Sequence, residues 1–252
     1  MNARAPICAC LAAFCLLGAA ADVSPALRDG ERIAYDLYLQ KGIVALPAGT
    51  ALLSTVRTND AYALELRLAA LPVVDKIYHL STCLTSRVTP DLRPLRYTKH
   101  AEEGGRVYDE VVDFRPLENG GCAVSCRRTE ADGRTRTNDV RRTTAVYDLV
   151  SVLFQARATD LLARAKAGRV VLPVATGIRV DDQVLVPCGD EEVETADGRN
   201  VPSQVFSLLR RANPGEEASE LARFWLSKDE RRLPLRINLF LKFGTASARL
   251  RE

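Results

Sequence analysis

The sequence predicts a mainly β fold: a curved, largely antiparallel sheet, open or closed into a barrel-like domain and capped by a helix near residues 148–166. Three observations lead there. Apolar residues recur at every second position in run after run, turn-forming residues separate the runs, and the period lengthens to a helical one at a single place. Period two sends alternate side chains to one face of a strand, so the chain is suited to a sheet that buries one side.

The elements follow in order. Residues 30–39 place Ile33, Tyr35, Leu37 and Leu39 on one face. Runs 51–56 and 62–70 read as a hairpin, with Thr58-Asn59-Asp60 as turn chemistry and Tyr62, Leu64, Leu66 and Leu68 opposing Glu65 and Arg67. Further strands are expected over 77–88, 95–100, 108–114, 122–129 and 136–146. Asn119-Gly120-Gly121 and Asp132-Gly133 mark turns around the run that begins at Cys122. From Asp148, a fair N-cap, Leu149, Val152, Leu153 and Ala156 form a helical stripe. A second helical piece runs from Thr159 or Asp160 to Lys166 and stops at Gly168. Strands resume over 169–174, 178–187 and 191–195, and Asp197-Gly198 turns the chain into 201–209. The polar stretch 214–219 reads as a loop. Runs 221–226 and 233–243 make a closing pair, the second with Leu233, Leu235, Ile237, Leu239, Leu241 and Phe243 on one face. No repeat or linker divides residues 22–252, which read as one domain.

The N-terminus reads as targeting. Arg4 precedes an apolar run of about fifteen residues, short of the ~20 that cross a bilayer, and Gly18-Ala19-Ala20-Ala21 offers a cleavage site. A signal peptide over 1–21 is therefore expected, and a periplasmic or secreted product. Phe14 directly before Cys15 argues against a lipoprotein signal, and no later segment is apolar for long enough to span a membrane. The net charge is +3 for the whole chain. The arginine pairs 127–128, 141–142, 210–211 and 231–232 are scattered among acids, so no nucleic-acid partner is expected.

Processing would leave Cys83, Cys122, Cys126 and Cys188, an even number in an oxidising compartment. His79, Cys83, Cys122 and Cys126 superficially resemble a zinc set. Residues four apart on a strand, however, are separated by roughly 13 Å, too far for one ion, so no metal is expected. The same distance forbids a Cys122–Cys126 bridge, and the expected disulfide joins Cys83 or Cys188 to one of them. No Gly-x-Ser-x-Gly elbow and no phosphate-cradling glycine loop occurs, and His79 and His100 are the only histidines. The acidic pairs 102–103, 109–110, 181–182 and 191–192 fall on opposite strand faces rather than across a cleft. Neither a catalytic residue nor a cofactor is assigned.

The order of motifs resembles a bacterial exported family catalogued as domain of unknown function 3108. Gly30-Glu31-Arg32-Ile33-Ala34-Tyr35-Asp36 opens the match, and Asp148-Leu149-Val150-Ser151 through Arg157 lies in its middle. Glu194-Thr195-Ala196-Asp197-Gly198, Phe224-Trp225-Leu226-Ser227-Lys228-Asp229, Arg232-Leu233-Pro234-Leu235 and Phe243-Gly244-Thr245-Ala246 complete it. The resemblance implies a signal peptide and a curved antiparallel fold, and it implies no activity. Among its positions Ser151, Arg157 and Trp225 are the candidate ligand-binding residues, Arg157 with an internal salt bridge as its alternative use. Two functional classes follow. One is a non-catalytic binder of an apolar or lipid-like molecule. The other is a structural or interaction protein with a packed core that docks to an envelope partner.

Overall fold

The structure is a computed structural model that describes residues 27–157, 159–211, 218–241 and 244–251. The leader read over 1–21, with Cys8, Cys10 and Cys15, lies outside the described residues, as do most of the loop read over 214–219 and Phe243.

In chain order the elements are β1 (Arg32–Lys41), β2 (Val44–Arg57), β3 (Tyr62–Ala70), α1 (Pro72–Asp75), β4 (Leu80–Val88) and β5 (Pro94–Glu103). Then come β6 (Arg106–Pro116), β7 (Cys122–Glu130), β8 (Thr135–Arg142), β9 (Tyr147–Asp148), α2 (Leu149–Arg157) and α3 (Thr159–Ala167). The last six are β10 (Val170–Thr176), β11 (Arg179–Glu194), β12 (Asn200–Arg210), β13 (Glu220–Ser227), β14 (Pro234–Leu241) and β15 (Gly244–Leu250).

The fifteen strands among the described residues belong to one sheet, in the order β8-β7-β6-β5-β4-β3-β2-β1-β15-β14-β13-β12-β11-β10-β9. Two meanders are thus joined along β1 and β15, which pair antiparallel from Tyr35↔Leu250 to Gln40↔Thr245. Every pairing is antiparallel except that of β9 with β10. The expected mainly β, curved antiparallel architecture is the one observed.

The sheet curls until its two ends approach. Asn138 Nδ2 on β8 donates to Ile178 O (2.9 Å), and Arg142 Nη2 donates to Val180 O (2.7 Å). Gly177 in the β10–β11 turn has a positive φ of 60°, and a Cβ there would stand 3.0 Å from Glu110 Oε1 on β6. These are side-chain links. The outermost strands are β8 and β9, so the curl stays open.

The concave face holds one large core. Tyr35, Leu53, Leu64, Tyr97, Val112, Val124, Leu172, Leu185, Phe206 and Leu226 contribute to it from strands around the curl, and α2 lies within it. The helix differs from the expected stripe. Leu149 is 40% exposed, whereas Val150, Ser151, Val152, Leu153, Phe154, Ala156 and Arg157 are all buried. A helix enclosed on nearly every side needs its polar groups satisfied internally, and the site described below does that.

Several boundaries moved. The expected strand over 77–88 starts only at Leu80, because Pro72 opens the short helix α1. Runs 178–187 and 191–195 are one strand, β11, with a bulge between Pro187 and Gly189. Of the run 233–243, β14 takes Pro234–Leu241, and a further strand, β15, comes after it.

Candidate functional site

Two polar clusters tie α2 into the sheet. At its start, Asp148 Oδ1 accepts from Val150 N (2.9 Å) and Ser151 N (2.8 Å), while Ser151 Oγ accepts from Asp148 N (2.9 Å). This reciprocal cap satisfies backbone donors that the helix itself cannot. Ser86 on β4 donates to the other carboxylate oxygen at 2.6 Å. Burial pushes the Asp148 carboxyl above its usual range, and these hydrogen bonds work against that shift.

At the other end of α2, fully buried Arg157 makes a forked ion pair with Glu31, Nη1 to Oε2 at 2.8 Å and Nη2 to Oε1 at 3.1 Å. Nη2 also donates to Arg231 O (3.2 Å), and the Arg231 side chain reaches Glu31 Oε1 at 3.2 Å. The Phe154 ring lies 5.3 Å from the guanidinium. Tyr35 stands in the same region, and burial raises its phenol.

The three candidate ligand residues are therefore not gathered around one space. Ser151 is part of the cap, and Arg157 is neutralised by Glu31. The alternation that sends Phe224 and Leu226 into the core sends Trp225 to the opposite face of the sheet. There it joins a separate small cluster with Val193, Val205 and Leu235. Its Nε1 donates to Glu191 Oε2 at 2.9 Å, and Arg236 lies over the ring at 5.1 Å.

The expected disulfide is not formed. Cys83, Cys122, Cys126 and Cys188 are free thiols. Cys122 and Cys126 do sit on a strand, both facing the core, and burial raises the Cys126 thiol to about 11. Cys83 on β4 is three strand spacings from β7, roughly 14 Å across the sheet, well beyond disulfide reach. Cys188 occupies the β11 bulge, with Sγ 3.1 Å from Ser207 Oγ. No group of three or more His, Cys, Asp or Glu among the described residues is arranged to hold a metal ion.

His79 precedes β4 rather than lying within it. Its Nδ1 is 2.8 Å from Asp75 and its Nε2 3.0 Å from Glu102. Glu102 also meets His100 Nε2 at 3.4 Å, and His100 Nδ1 is 2.8 Å from Asp109. Both histidines are thus linked through one carboxylate on the outer surface.

Sequence reading missed a charged network on the concave face, at the end of the sheet away from α2. Lys99 donates to Tyr108 Oη (2.7 Å) and pairs with Glu103 at 3.0 Å. Arg128 stacks over Tyr108 at 3.6 Å and pairs with Glu110 at 3.2 Å and Glu130 at 2.9 Å. Burial opposes ionisation of Glu103, but Lys99, Thr82 and Tyr108 bring its carboxyl below the usual range. Burial raises that of Glu110. The available signal was charge at inward positions: Lys99 lies between Tyr97 and Ala101, and Glu110 between Tyr108 and Val112.

Two surface depressions accompany these features, and both are open to solvent. One of about 220 Å³ is lined by Tyr35, Thr50, Ala51, Arg67 and Arg251 among others, and one of about 690 Å³ by Arg106, Arg128, Glu130, Arg134, Thr135 and Arg136.

The family model described as "Protein of unknown function (DUF3108)" matches residues 34–251. The chain belongs to this family. The DUF3108 match embraces α2, Trp225 and both strands of the β1–β15 seam. No curated protein matches the chain. A solved structure, titled as a beta-barrel-like protein of domain of unknown function DUF1849 from Brucella abortus, is similar with a TM-score of 0.60 at 15% identity. The likeness covers 90% of this chain and 98% of that one. At that identity the likeness is one of fold.

Proposed function

We propose that this DUF3108 chain is exported, loses residues 1–21, and acts in the cell envelope as a non-catalytic interaction protein that works through its surface. The carrying observation is α2: seven of its nine residues are buried inside the curl, and its one cation is matched by Glu31. An apolar-ligand carrier needs an enclosed chamber of roughly 300–1,000 Å³ lined by apolar side chains. Here a helix and the core side chains take that position, and both surface depressions are open. The leader supports export, and no helix among the described residues is long and apolar enough to cross a membrane.

The test is native mass spectrometry of the purified processed chain, combined with titration against a fluorescent fatty acid. A single apo mass and no uptake are expected. A stoichiometric lipid adduct would overturn the filled-core reading in favour of a carrier.

A further inference from the structure

Four adjacent strands, β2, β1, β15 and β14, run on past the last ladder pairs with their outer neighbours at the end of the sheet away from α2. The β2–β3 ladder stops at Gly49↔Ala70, so residues 44–47 continue for about 13 Å without a ladder partner on that side. On the other flank the β13–β14 ladder stops at Ala222↔Leu239, leaving Phe240 and Leu241 beyond it. The result is a four-stranded tongue.

The tongue carries the core-facing side of the sheet out into the open. Ile33 and Tyr35 are core residues, and the same alternation along β1 brings Leu39 to that face. Leu39 pairs with Leu46 on β2 and with Ala246 on β15, and Ala246 pairs with Leu239 on β14. One apolar row therefore crosses all four strands. Leu39, Val44, Leu46, Leu239 and Leu241 are about half-exposed, and Ile43 in the β1–β2 turn is fully exposed. At the base, Leu71 N donates to Ala48 O at 2.9 Å, which sets α1 beside the tongue with Val73 and Ile77 also exposed.

Charge identifies the occupant. In a chain with 32 Asp and Glu, none falls within residues 37–48 or 238–248, the two stretches that make up the tongue, whereas each contains a lysine. An apolar projection whose own sequence carries lysine and no carboxylate is matched by a surface with an oily interior and anionic headgroups. We infer that this tongue is a lipid-surface anchor: its apolar row enters the headgroup–acyl boundary of an anionic membrane and holds the domain against it. This deepens the surface-acting reading above by naming the surface.

Flotation of the processed chain with phosphatidylethanolamine–phosphatidylglycerol vesicles tests it. The chain should float with these vesicles, less so with phosphatidylcholine alone, and less so at high salt. The double substitution Ile43→Asp, Leu46→Asp removes two exposed side chains and should leave the circular dichroism and the melting temperature unchanged. It should lower vesicle partitioning at least about tenfold. Val171→Asp, at an exposed position on β10, should float as the parent does. Absence of flotation by the parent chain, or equal flotation by the double variant, overturns the anchor. Concentration-dependent dimerisation abolished by the double variant, without vesicle binding, also overturns it and assigns the tongue to a second copy of this chain. Either failure leaves the filled-core reading standing, since that depends on the absence of a lipid adduct.

Discussion

Arg157 has no water to solvate it, so Glu31 must stay opposite it for the helix end to remain buried. Removing one member of such a pair strands the other charge, a loss of about 3–5 kcal/mol. Arg157→Met should therefore lower stability by that order in urea unfolding, and adding Glu31→Gln should restore much of it. A single variant as stable as the parent would remove the pair from its structural role. The two histidines behave differently because they are at the surface. Hydrogen bonds donated to Glu102 and Asp75 raise the pKa of His79, and those donated to Asp109 and Glu102 raise that of His100. A raised folded pKa means that the support is fully present below the ordinary imidazole value of about 6.5 and is lost as pH climbs through the raised one. Amide exchange over residues 72–80, corrected for its intrinsic pH dependence, should accelerate across that window. His79→Gln should make it pH-independent, and unchanged protection in the parent would argue against the clasp.

Among the elements, α2 depends on its cap. Asp148→Ala removes the acceptor for two backbone donors and leaves the buried Ser86 hydroxyl without its carboxylate. The cap alone is worth about 1–2 kcal/mol, and the stranded hydroxyl adds to the loss. Asp148→Asn keeps an acceptor and should cost less, which differential scanning calorimetry of the two variants would show. The cap was legible in the sequence because Asp148 sits where the period changes. The burial of the helix was not. Periodicity marks one apolar stripe, but Val150 and Phe154 lie off it and are buried because the sheet wraps the helix. Strand β15 escaped notice for a related reason: Ala246 and Ala248 are small, so the alternation in Gly244–Leu250 carries little hydrophobic contrast. Helix α1 is a single turn, too short to show a period. Of the candidate site residues, Arg157 was placed correctly on the helix, but nothing local in the sequence names Glu31, 126 residues away, as its partner.

For the whole molecule, the fold class was readable because period two persists through nearly every run. The closure of the architecture depends on which strands meet, and spacing along the chain does not encode that. The inward charges of Lys99, Glu110 and Arg128 have the same character, since each looks like a surface residue until the neighbouring strands bring its counter-ions. The β1–β15 seam has a kinetic consequence. Leu39 and Ala246 are neighbours in space although more than two hundred residues separate them along the chain. Bringing such distant segments together incurs loop-closure entropy before the ladder can return any of it, which is the signature of high contact order and slow folding. The two meanders can each begin locally, but their union must await synthesis of the final strand, and until then the edges of β1 and β14 stand unpaired and prone to wrong partners.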